Sequence, residues 1–426
     1  MSKIVLFHFI LFILMFSCDN IKNEKQVPFE KLSSEITGIN FSNIITPDIE
    51  TSENLFDYDY FYNGSGVGIA DINNDGLKDV LFTANQENNR LFINKGNLTF
   101  ENITELSNIN TKNKKWSSGV TFADVNNDGW LDIYISQGGP FESNSRKNLL
   151  LINNQDLTFT EKAEEYGLDD TGISTQSAFF DFDKDGDLDC VVMNENEFYG
   201  YDPISFFKKY ENKSVLMENS SHLYEQKDGK FINITEKAGL LSPTFGLGLC
   251  ISDINNDNWP DIYIANDYYV KDAMYINNQD GTFTNQIKES TKQISFYGMG
   301  VDIEDINNDN LSDIFVLDMA SSDHIRSKTL MASMNTSNFD LITNKLDQHY
   351  QYMFNSLQLN LGNDKYHNIS HQLNIAKTDW SWAGLIFDYN LDGNEDIFVT
   401  NGYRKYGSDN DSRIRINETK KEYNNK

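Results

Sequence analysis

The sequence is poor in cysteine, proline and histidine. Among its 426 residues there are 3 Cys, 6 Pro and 6 His. No pairs of cysteine and histidine occur at the spacing of zinc ligands, so the sequence gives no indication of a zinc site. Heptad repeats and long stretches of Ala, Glu, Lys and Leu are also missing. Their absence argues against a helical protein and favours strands joined by turns.

Basic residues are outnumbered by acidic ones, 35 against 64, and the net charge is -29. A chain of this charge repels nucleic acid and anionic membrane surfaces, so we expect no nucleic-acid partner and no membrane contact except through an anchor. Cations are the expected partners. The content of hydrophobic residues, 39%, is ample for a globular interior.

An apolar run opens the chain. Lys3 precedes "IVLFHFILFILMF", whose 13 residues are too few for a membrane-spanning helix but suit the core of a signal peptide. The run ends in "MFSC" and resembles a bacterial lipoprotein signal, in which a small residue, here Ser17, precedes the lipidated cysteine. We therefore expect a signal peptide over residues 1–18, lipidation of Cys18, a polar tether over 19–33, and an exported lipoprotein of the outer membrane or cell surface. The alternative is a plain secretory peptide.

The other two cysteines, Cys190 and Cys250, lie in apolar, strand-like runs, "LDCVVM" and "GLGLCISD". Free cysteine is among the most frequently buried residue types. We expect two buried free thiols rather than a disulfide.

A nine-residue acidic pattern recurs six times between strand-like runs. A second signature, two short strands around a Gly, Asn or Asp turn, follows most copies, as in "NRLFINKGNLTFENIT". Each repeat then holds about four strands, which is the content of one propeller blade. The copies are "DINNDGLKD" at 71–79, "DVNNDGWLD" at 124–132, "DFDKDGDLD" at 181–189, "DINNDNWPD" at 253–261, "DINNDNLSD" at 305–313 and "DYNLDGNED" at 388–396.

The repeats predict an all-β fold, a β-propeller of four-stranded blades with calcium-binding loops. It would occupy residues 34–411, followed by a polar C-terminal tail at 412–426. Six repeats are recognisable. The sequence leaves open whether the ring closes with six blades, takes a seventh partly from residues 34–62, or stays open.

The acidic loops with their flanking strands resemble the FG-GAP or VCBS repeat of integrin alpha-chain propellers and bacterial surface proteins. The order of "YFYNGSGVGIADINNDGLKDV", "TQSAFFDFDKDGDLD", "DMASSDHIRSK" and "TDWSWAGLIFDYNLDG" is similar to VCBS-repeat lipoproteins of Bacteroidetes, related to the cartilage acidic protein group. The resemblance covers residues 35–411. It implies a recognition platform, and those relatives usually continue with more repeats than this chain has.

Oxygen donors at every second loop position suit Ca²⁺, in an order like the start of an EF-hand loop. Carboxylates crowded in this way repel one another unless a cation neutralises them, so we predict up to six structural Ca²⁺ ions and no catalysis by the loops. The alternative is an acidic turn that binds nothing. The predicted ligands are the side chains at positions 1, 3, 5 and 9 and the carbonyl at position 7: Asp71, Asn73, Asp75, Leu77 and Asp79; Asp124, Asn126, Asp128, Trp130 and Asp132; Asp181, Asp183, Asp185, Asp187 and Asp189; Asp253, Asn255, Asp257, Trp259 and Asp261; Asp305, Asn307, Asp309, Leu311 and Asp313; Asp388, Asn390, Asp392, Asn394 and Asp396.

The connections after the second strand of each blade should emerge on the face opposite the acidic loops, and long loops on a rigid scaffold are where binding residues usually lie. We predict a non-enzymatic protein that binds a glycan or a protein partner there. The aromatic residues could instead pack a small core beneath the loops. A polysaccharide lyase or hydrolase is the alternative function, although six histidines leave few catalytic candidates. The candidate ligand-binding residues are Tyr199, Tyr201, Tyr268, Tyr269, His324, Arg326, Tyr403 and Arg404.

Overall fold

The computed structural model describes residues 29–110, 116–329, 336–402, 414–415 and 418–419. Residues 34–426 form one compact unit. The regular secondary structure of its described part is mostly antiparallel strand, as the sequence predicts. The predicted signal peptide at 1–18 and the candidates Tyr403 and Arg404 lie outside the described residues.

Five sheets have four strands each, joined in sequential order, so that every sheet is an antiparallel meander. They are the first five blades of a β-propeller. The blades are β1 (Val67–Ala70), β2 (Asp79–Phe82), β3 (Arg90–Asn94) and β4 (Phe100–Asn102); β5 (Ser117–Ala123), β6 (Asp132–Gln137), β7 (Leu149–Asn153) and β8 (Phe159–Glu161); β9 (Ser174–Phe180), β10 (Asp189–Asn194), β11 (His222–Lys227) and β12 (Lys230–Asn233); β13 (Gly246–Ser252), β14 (Asp261–Asn266), β15 (Ala273–Asn277) and β16 (Phe283–Asn285); β18 (Val301–Glu304), β19 (Asp313–Val316), β22 (Ser356–Asn360) and β23 (Tyr366–Asn368).

The sixth blade differs from the other five. Its described strands are β24 (Asp379–Phe387) and β25 (Asp396–Asn401), and β20 (Met319–Ala320) pairs with the beginning of β24. A short parallel pair, β17 (Ile294–Ser295) with β21 (Gln351–Tyr352), lies outside the blades. The propeller thus has six blades, and the prediction of four strands per repeat is confirmed for five of them.

Glycines let the first strands of neighbouring blades approach closely around the centre. A Cβ on Gly66 would lie 2.6 Å from the carbonyl oxygen of Ser118, and one on Gly119 would lie 2.5 Å from that of Thr175. Both distances are shorter than any real Cβ contact, so a larger residue would force the blades apart. The first strands of consecutive blades, β1, β5, β9, β13, β18 and β24, lie side by side in that order.

Apolar clusters fill the spaces between consecutive blades. Leu81 of the first blade and Ile133 of the second are both fully buried in one such cluster. Apolar side chains on the first strands of the sixth and first blades are more exposed. Leu385 is 50% exposed, and Val67 and Ile69 are 57% and 65% exposed. Apolar packing among the described residues therefore does not seal the sixth blade against the first.

The two longest connections contain most of the helical residues, and both follow the second strand of a blade. In the third blade, Asp202 caps the first helix of the connection by accepting the backbone N–H groups of Ile204 and Ser205. No helix in the described part of the chain is both long and apolar enough to cross a membrane. The helices are Ser34–Thr37, Thr104–Ser107, Ala163–Tyr166, Pro203–Lys209, Lys213–Glu218, Ile287–Ser290, Arg326–Thr329 and Thr336–Asp340, with a 3₁₀ turn at Ser143–Ser145 and a π turn at Leu341–Lys345.

Residues 34–63 cross the first blade before entering it. The ring of Phe41 stacks on that of Phe82, with centroids 5.0 Å apart. Further along, Tyr58, Tyr60 and Phe61 are buried against the connections of later blades. This segment joins the outside of blade one to the face opposite the acidic loops.

Candidate functional site

All six acidic loops are held by the same backbone hydrogen bonds. In the first loop, Asp71 accepts the N–H groups of Asp75 (3.1 Å) and Gly76 (2.8 Å), and Asp75 accepts that of Leu77 (2.8 Å). The other five loops repeat these three bonds at the same positions. One loop structure is therefore built six times from one sequence pattern.

Two positions in each loop adopt the left-handed conformation. One is position 6, where φ is 86° for Gly76 and 67° for Asn258; glycine and asparagine are the residues that best tolerate this conformation. Position 4, which the sequence analysis missed, is left-handed too, with φ of 56° for Asn74, 60° for Lys184 and 59° for Leu391. Asn tolerates this conformation readily, whereas Lys and Leu adopt it at a cost.

In five of the loops the carboxylate at position 9 is buried and links the loop to the blade by hydrogen bonds. In the second loop, Asp132 accepts the N–H of Val125 at position 2 (3.1 Å) and that of Asn153 in the third strand (2.8 Å). Burial raises the pKa of Asp132 to about 6 against these two bonds, and the neighbouring Asp128 and Asp124 add to the rise. The same pair of bonds is made by Asp79, Asp189, Asp261 and Asp313.

The third loop shows whether the predicted ligands fit a calcium ion. Carboxylate oxygens of Asp181, Asp183 and Asp189 lie within 4.8 Å of one another. Asp187 has a buried oxygen, Oδ1, without a hydrogen-bond partner. Burial and the nearby Asp185 raise the pKa of both Asp183 and Asp187. A group of hard oxygen donors under mutual repulsion fits a divalent cation of the calcium type.

The other five loops carry Asn at position 3 and are arranged a little differently. In the first loop the amide of Asn73 accepts the N–H of Asp75 (3.1 Å) and donates to its carboxylate (3.0 Å). The amide oxygen therefore faces the same space as the carboxylates. The calcium ligands of these five loops stay a prediction.

Neighbouring loops contact one another through position 4. The Asn74 amide donates to the carbonyl of Gly129 at position 6 of the next loop (3.0 Å), and Asn256 donates in the same way to Asn310 (2.6 Å). The fifth loop reaches the sixth through Asn308 and the Gly393 carbonyl (3.3 Å). Between the third and fourth loops, Lys184 Nζ lies 4.6 Å from the ring centroid of Trp259. These contacts link the acidic face laterally.

On the opposite face, aromatic side chains from residues 58–61 and from the long connections form one cluster. Its buried members are Tyr58, Tyr60, Phe61, Trp116, Phe206, Phe245 and Val270. Four predicted ligand-binding tyrosines lie in or beside it. The structure therefore confirms that the connections meet opposite the acidic loops, but most of their aromatic residues are used in packing.

The four tyrosines divide into buried and exposed positions. The Tyr268 hydroxyl donates to Asp59 (2.8 Å), the Tyr199 hydroxyl donates to the Asp57 carbonyl, and the Tyr269 ring packs near Phe206. These three belong to the small core that the sequence analysis gave as an alternative. Tyr201 is 42% exposed, and Lys209 Nζ lies 4.4 Å from the centroid of its ring.

The predicted pair His324 and Arg326 lies in the connection of the fifth blade. Arg326 forms a two-point ion pair with Asp379, including an Nη2 to Oδ1 distance of 2.7 Å. This contact anchors the connection to the beginning of β24. The side chain of His324 is exposed.

A cavity of about 270 Å³ lies where the first strands of the blades begin. Its lining comes from the first, second, third, fourth and sixth blades, so it is the mouth of the central channel on the face opposite the acidic loops. Its wall includes the buried Trp116, the half-buried Trp382 and the carboxyl group of Glu195. Polar lining groups are Ser65, Ser118, Ser174, Thr175 and Gln176.

Two buried acids lie beneath this mouth and are bound by tyrosines from the N-terminal segment. The Tyr58 hydroxyl donates to Glu195 (3.1 Å), and the Tyr60 hydroxyl donates to Asp267 (2.8 Å). Burial raises the pKa of Glu195 to about 8 and that of Asp267 to about 7, and each tyrosine bond opposes the rise. Glu195 is thus largely neutral at pH 7 and can donate a hydrogen bond into the cavity.

The sequence pattern predicts no role for Tyr58, Trp116, Glu195, Asp267 or Trp382. A signal was present, because Glu195 and Asp267 each directly follow the Asn that ends the second strand of a blade. Acids at that position are placed on the mouth of the channel. The partners from residues 58–60 lie 137 and 207 positions away, and spacing along the chain does not reveal such contacts.

Comparison with known proteins identifies the repeat. A family model described as FG-GAP-like repeat matches residues 62–135 and 253–316, so the chain contains FG-GAP-like repeats. The search of curated proteins found no match.

Solved structures resemble the chain loosely. A lectin of Agrocybe aegerita that recognises non-reducing terminal N-acetylglucosamine is 16% identical, with 78% of this chain and 73% of the lectin covered and a TM-score of 0.43. BBS1N, solved in complex with ARL6DN, is 8% identical, with 79% and 75% covered and a TM-score of 0.40. The V. cholerae biofilm matrix protein Bap1 is 12% identical, with 61% and 35% covered and a TM-score of 0.34. Likenesses of this degree carry no inference about a ligand. The repeat, and not a whole relative, is what the comparisons identify in this chain.

Proposed function

We propose that this protein is a non-enzymatic binding protein that recognises a glycan at the mouth of its propeller channel, on a scaffold stabilised by up to six Ca²⁺ ions. The observation that carries the proposal is the 270 Å³ cavity, in which Trp116, Trp382 and Glu195 face a rim of hydroxyl and amide groups. It combines apolar surface with a few polar groups that point to a common centre, as small-molecule sites do.

The chemistry of the lining favours a saccharide. A pyranose ring presents apolar C–H surface on its faces and hydroxyl groups around its edge. The indole of Trp382 offers the matching apolar face, while Gln176 and the neutral Glu195 offer hydrogen bonds. Because an unionised carboxyl group both donates and accepts hydrogen bonds, Glu195 can donate a hydrogen bond to a sugar hydroxyl or accept one from it.

The remaining parts of the proposal concern the scaffold and its location. The signal sequence ending at Cys18 supports export and a lipid anchor at the outer membrane or cell surface. Outside the cell Ca²⁺ is plentiful, so loops of modest affinity would be filled, with dissociation constants of about 0.1 to 1 mM. The carboxylate oxygens of Asp181, Asp183 and Asp189, which lie within 4.8 Å of one another, support metal binding in the third loop.

The test is glycan binding by the chain without residues 1–18, measured by array screening and then calorimetry in 2 mM CaCl₂ as an assay condition of roughly extracellular level. We expect Trp382→Ala to weaken binding about tenfold or more, and Tyr201→Ala, a matched aromatic change outside the cavity, to leave it unchanged. The reverse result would place the ligand on the outer loops and favour a protein partner over a glycan.

One observation favours the enzymatic alternative, a polysaccharide lyase or hydrolase. Glu195, with a pKa raised by burial to about 8, accepts a hydrogen bond from Tyr58, and both line the cavity. An acid of this kind is suited to proton transfer near neutral pH. Incubation with a panel of polysaccharides, followed by unsaturated-product absorbance and reducing ends, decides the matter. Product that forms with the native chain and not with Glu195→Gln would replace the binding proposal by a catalytic one.

A further inference from the structure

One carboxyl oxygen at the channel mouth has no partner within the described part of the protein. Glu195 is only 4% exposed, and its Oε2 accepts the hydroxyl of Tyr58 at 3.1 Å. Its other oxygen, Oε1, makes no hydrogen bond to a described residue. A largely buried polar atom without a partner costs free energy, so such an atom in a cavity wall indicates a group that a ligand satisfies. Glu195 lines the mouth cavity, and a ligand seated there can reach this oxygen.

The mouth cavity has an acidic wall without a cation of its own. Among the described residues that line it, Glu195 is acidic and none is basic. Asp267 lies just beneath; burial raises its pKa to about 7, and the nearby Asp318 and Asp59 add to the rise. Charges attract and repel more strongly in a medium of low dielectric than in water. Positive charge in this cavity is therefore favoured, and negative charge is repelled.

Arg146 is a cation that acts on Glu195, and its own hydrogen bonds are used elsewhere. Its guanidinium donates to the carbonyls of Phe141 and Thr171 and, at 2.8 Å, to the carboxylate of Glu197. Its effect on the pKa of Glu195 is smaller than that of burial, which raises this pKa to about 8. The carboxyl group thus lacks a full counter-charge. The titratable and charged groups that act on it or respond to it are Tyr58, Tyr60, Tyr199, Asp267 and Arg146.

The rest of the lining suits a small organic cation. Tyr58 and Trp116, whose ring centroids lie 5.9 Å apart, line the cavity together with Trp382. A cation is attracted to the face of an aromatic ring, and most strongly to that of tryptophan. An ammonium group has three N–H donors. Besides Glu195, oxygen atoms of Thr175 and Gln176 in the lining can accept them.

We infer that the mouth cavity takes the ammonium group of an amino sugar, with Glu195 as its counter-ion, and that it discriminates against sugars that carry a carboxylate. This inference rests on the proposed recognition of a glycan and names the class of glycan. The protonated amine of the sugar donates a hydrogen bond to Oε1 of Glu195, and the pyranose ring contacts Trp382.

Binding of such a ligand releases a proton. In the free protein the raised pKa keeps Glu195 largely neutral at pH 7. A positive charge within about 4–6 Å lowers the pKa of a carboxyl group by about 1 to 3. Glu195 therefore ionises as the amino sugar binds, and its proton passes to the buffer. An N-acetylated sugar carries no charge and leaves the carboxyl group protonated.

Calorimetry with three monosaccharides tests the preference for positive charge. Galactosamine, N-acetylgalactosamine and galacturonic acid share the pyranose ring and differ in charge. If the pKa of Glu195 falls by about 2, we expect galactosamine to bind about tenfold more tightly than N-acetylgalactosamine at about pH 7, with release of about 0.8 proton. Galacturonic acid should bind most weakly. Titrations in two buffers of different ionisation enthalpy measure the released protons.

Glu195→Gln separates the effect of the carboxyl group from that of the rest of the cavity. The amide keeps the shape of the side chain and can still accept the Tyr58 hydroxyl, but it does not ionise. Galactosamine and N-acetylgalactosamine should then bind within about twofold of each other and without release of a proton. Glu211→Gln, at an exposed acid of the same connection outside the cavity, is the matched control and should keep the preference.

The outcomes distinguish this inference from the proposed function. If the native protein binds both sugars equally, or binds galactosamine more tightly without releasing a proton, and Trp382→Ala weakens the binding, then the glycan site is right and this inference is wrong. If the protein binds none of the three sugars and no glycan on the array, both are wrong. A preference for galactosamine that survives in Glu195→Gln would also overturn the assignment of Glu195 as the counter-ion.

Discussion

The two faces of this propeller are built by opposite strategies. The acidic face repeats one nine-residue loop six times, with the same three hydrogen bonds in each copy. On the other face the described connections differ from blade to blade, and the cavity there is lined by five different blades and by Tyr58 of the N-terminal segment. Repetition accompanies the part that shapes the scaffold, and variation accompanies the part that we propose binds a ligand.

Removal of calcium should have the largest effect on stability, and it tests the role of the repeated acidic loops. If each loop binds Ca²⁺ with a dissociation constant of about 0.1 mM, an ion concentration of about 2 mM stabilises the fold by about 1.8 kcal/mol per site. With six loops we expect the melting temperature to fall by about 10 °C or more in EDTA and to recover on adding CaCl₂. Circular dichroism melts measure this. Equal melting temperatures in calcium and in EDTA would mean that the acidic loops are plain turns.

A single loop should show the next largest effect. Asp185→Ala in the third loop removes a carboxylate from the site with the most acidic residues, and we expect a loss of about 2 kcal/mol in calcium. Asp75→Ala, the same change in the first loop, is the matched control and should cost less. Urea unfolding in calcium compares them. A larger loss for Asp75→Ala would contradict the assignment of the third loop as the strongest site.

The pH dependence of the free energy of unfolding should report on the channel mouth, through Glu195, rather than on the acidic loops. Burial raises the pKa of Glu195 from 4.5 in the unfolded chain to about 8. The folded state then binds more protons than the unfolded state between these values, so the stabilising contribution is complete below about pH 4.5 and is lost as the pH rises towards 8. Near the middle of this pH window, the free energy of unfolding falls by about 1.4 kcal/mol per pH unit for one such group.

Glu195→Gln, which is permanently neutral, should remove that part of the slope. Urea unfolding at pH 5.5, 6.5 and 7.5, as assay conditions spanning roughly the middle of that window, measures the difference. An unchanged slope in the variant would show that Glu195 titrates normally.

The lateral contacts between loops should give the smallest effect. Asn256→Ala removes the bond from the fourth loop to the Asn310 carbonyl, and we expect a loss of about 1 kcal/mol. Since the bond joins two loops, calcium titration by calorimetry should also become less cooperative. Asn278→Ala, which loses a bond within its own hairpin, tests whether the effect depends on linking the loops. Equal titration curves for both variants would mean that the loops act independently.

The repeated part of the molecule is what the sequence could predict. Strands, loops and left-handed sixth positions such as Asn258 follow from local pattern, because each is set by residues within one blade. The cavity could not be derived in this way. Its contacts join Tyr58 to Glu195 and Tyr60 to Asp267 across several blades, and nothing in the sequence near either partner requires them.

For some residues the sequence prediction is confirmed only in part. Cys190 and Cys250 are free thiols in the structure, as expected, but Cys250 is only half-buried while Cys190 is fully buried. Tyr199, Tyr268 and Tyr269 occur on the predicted face, and their hydroxyls or rings are occupied by neighbours that the sequence does not reveal. The pattern predicts the face of the propeller, and tertiary contacts decide which side chains reach solvent.

The hydrogen bonds of Tyr58 and Tyr60 also determine when the channel mouth forms during folding. Partners separated by 137 and 207 residues meet only after the intervening blades have formed, because long loops must close first. We therefore expect the channel mouth to mature last during folding. In stopped-flow refolding, the tryptophan signal of Trp116 should lag behind the far-ultraviolet signal of the strands, and simultaneous recovery would contradict this order. A nascent chain that lacks the fourth blade would then contain Tyr60 without its partner Asp267.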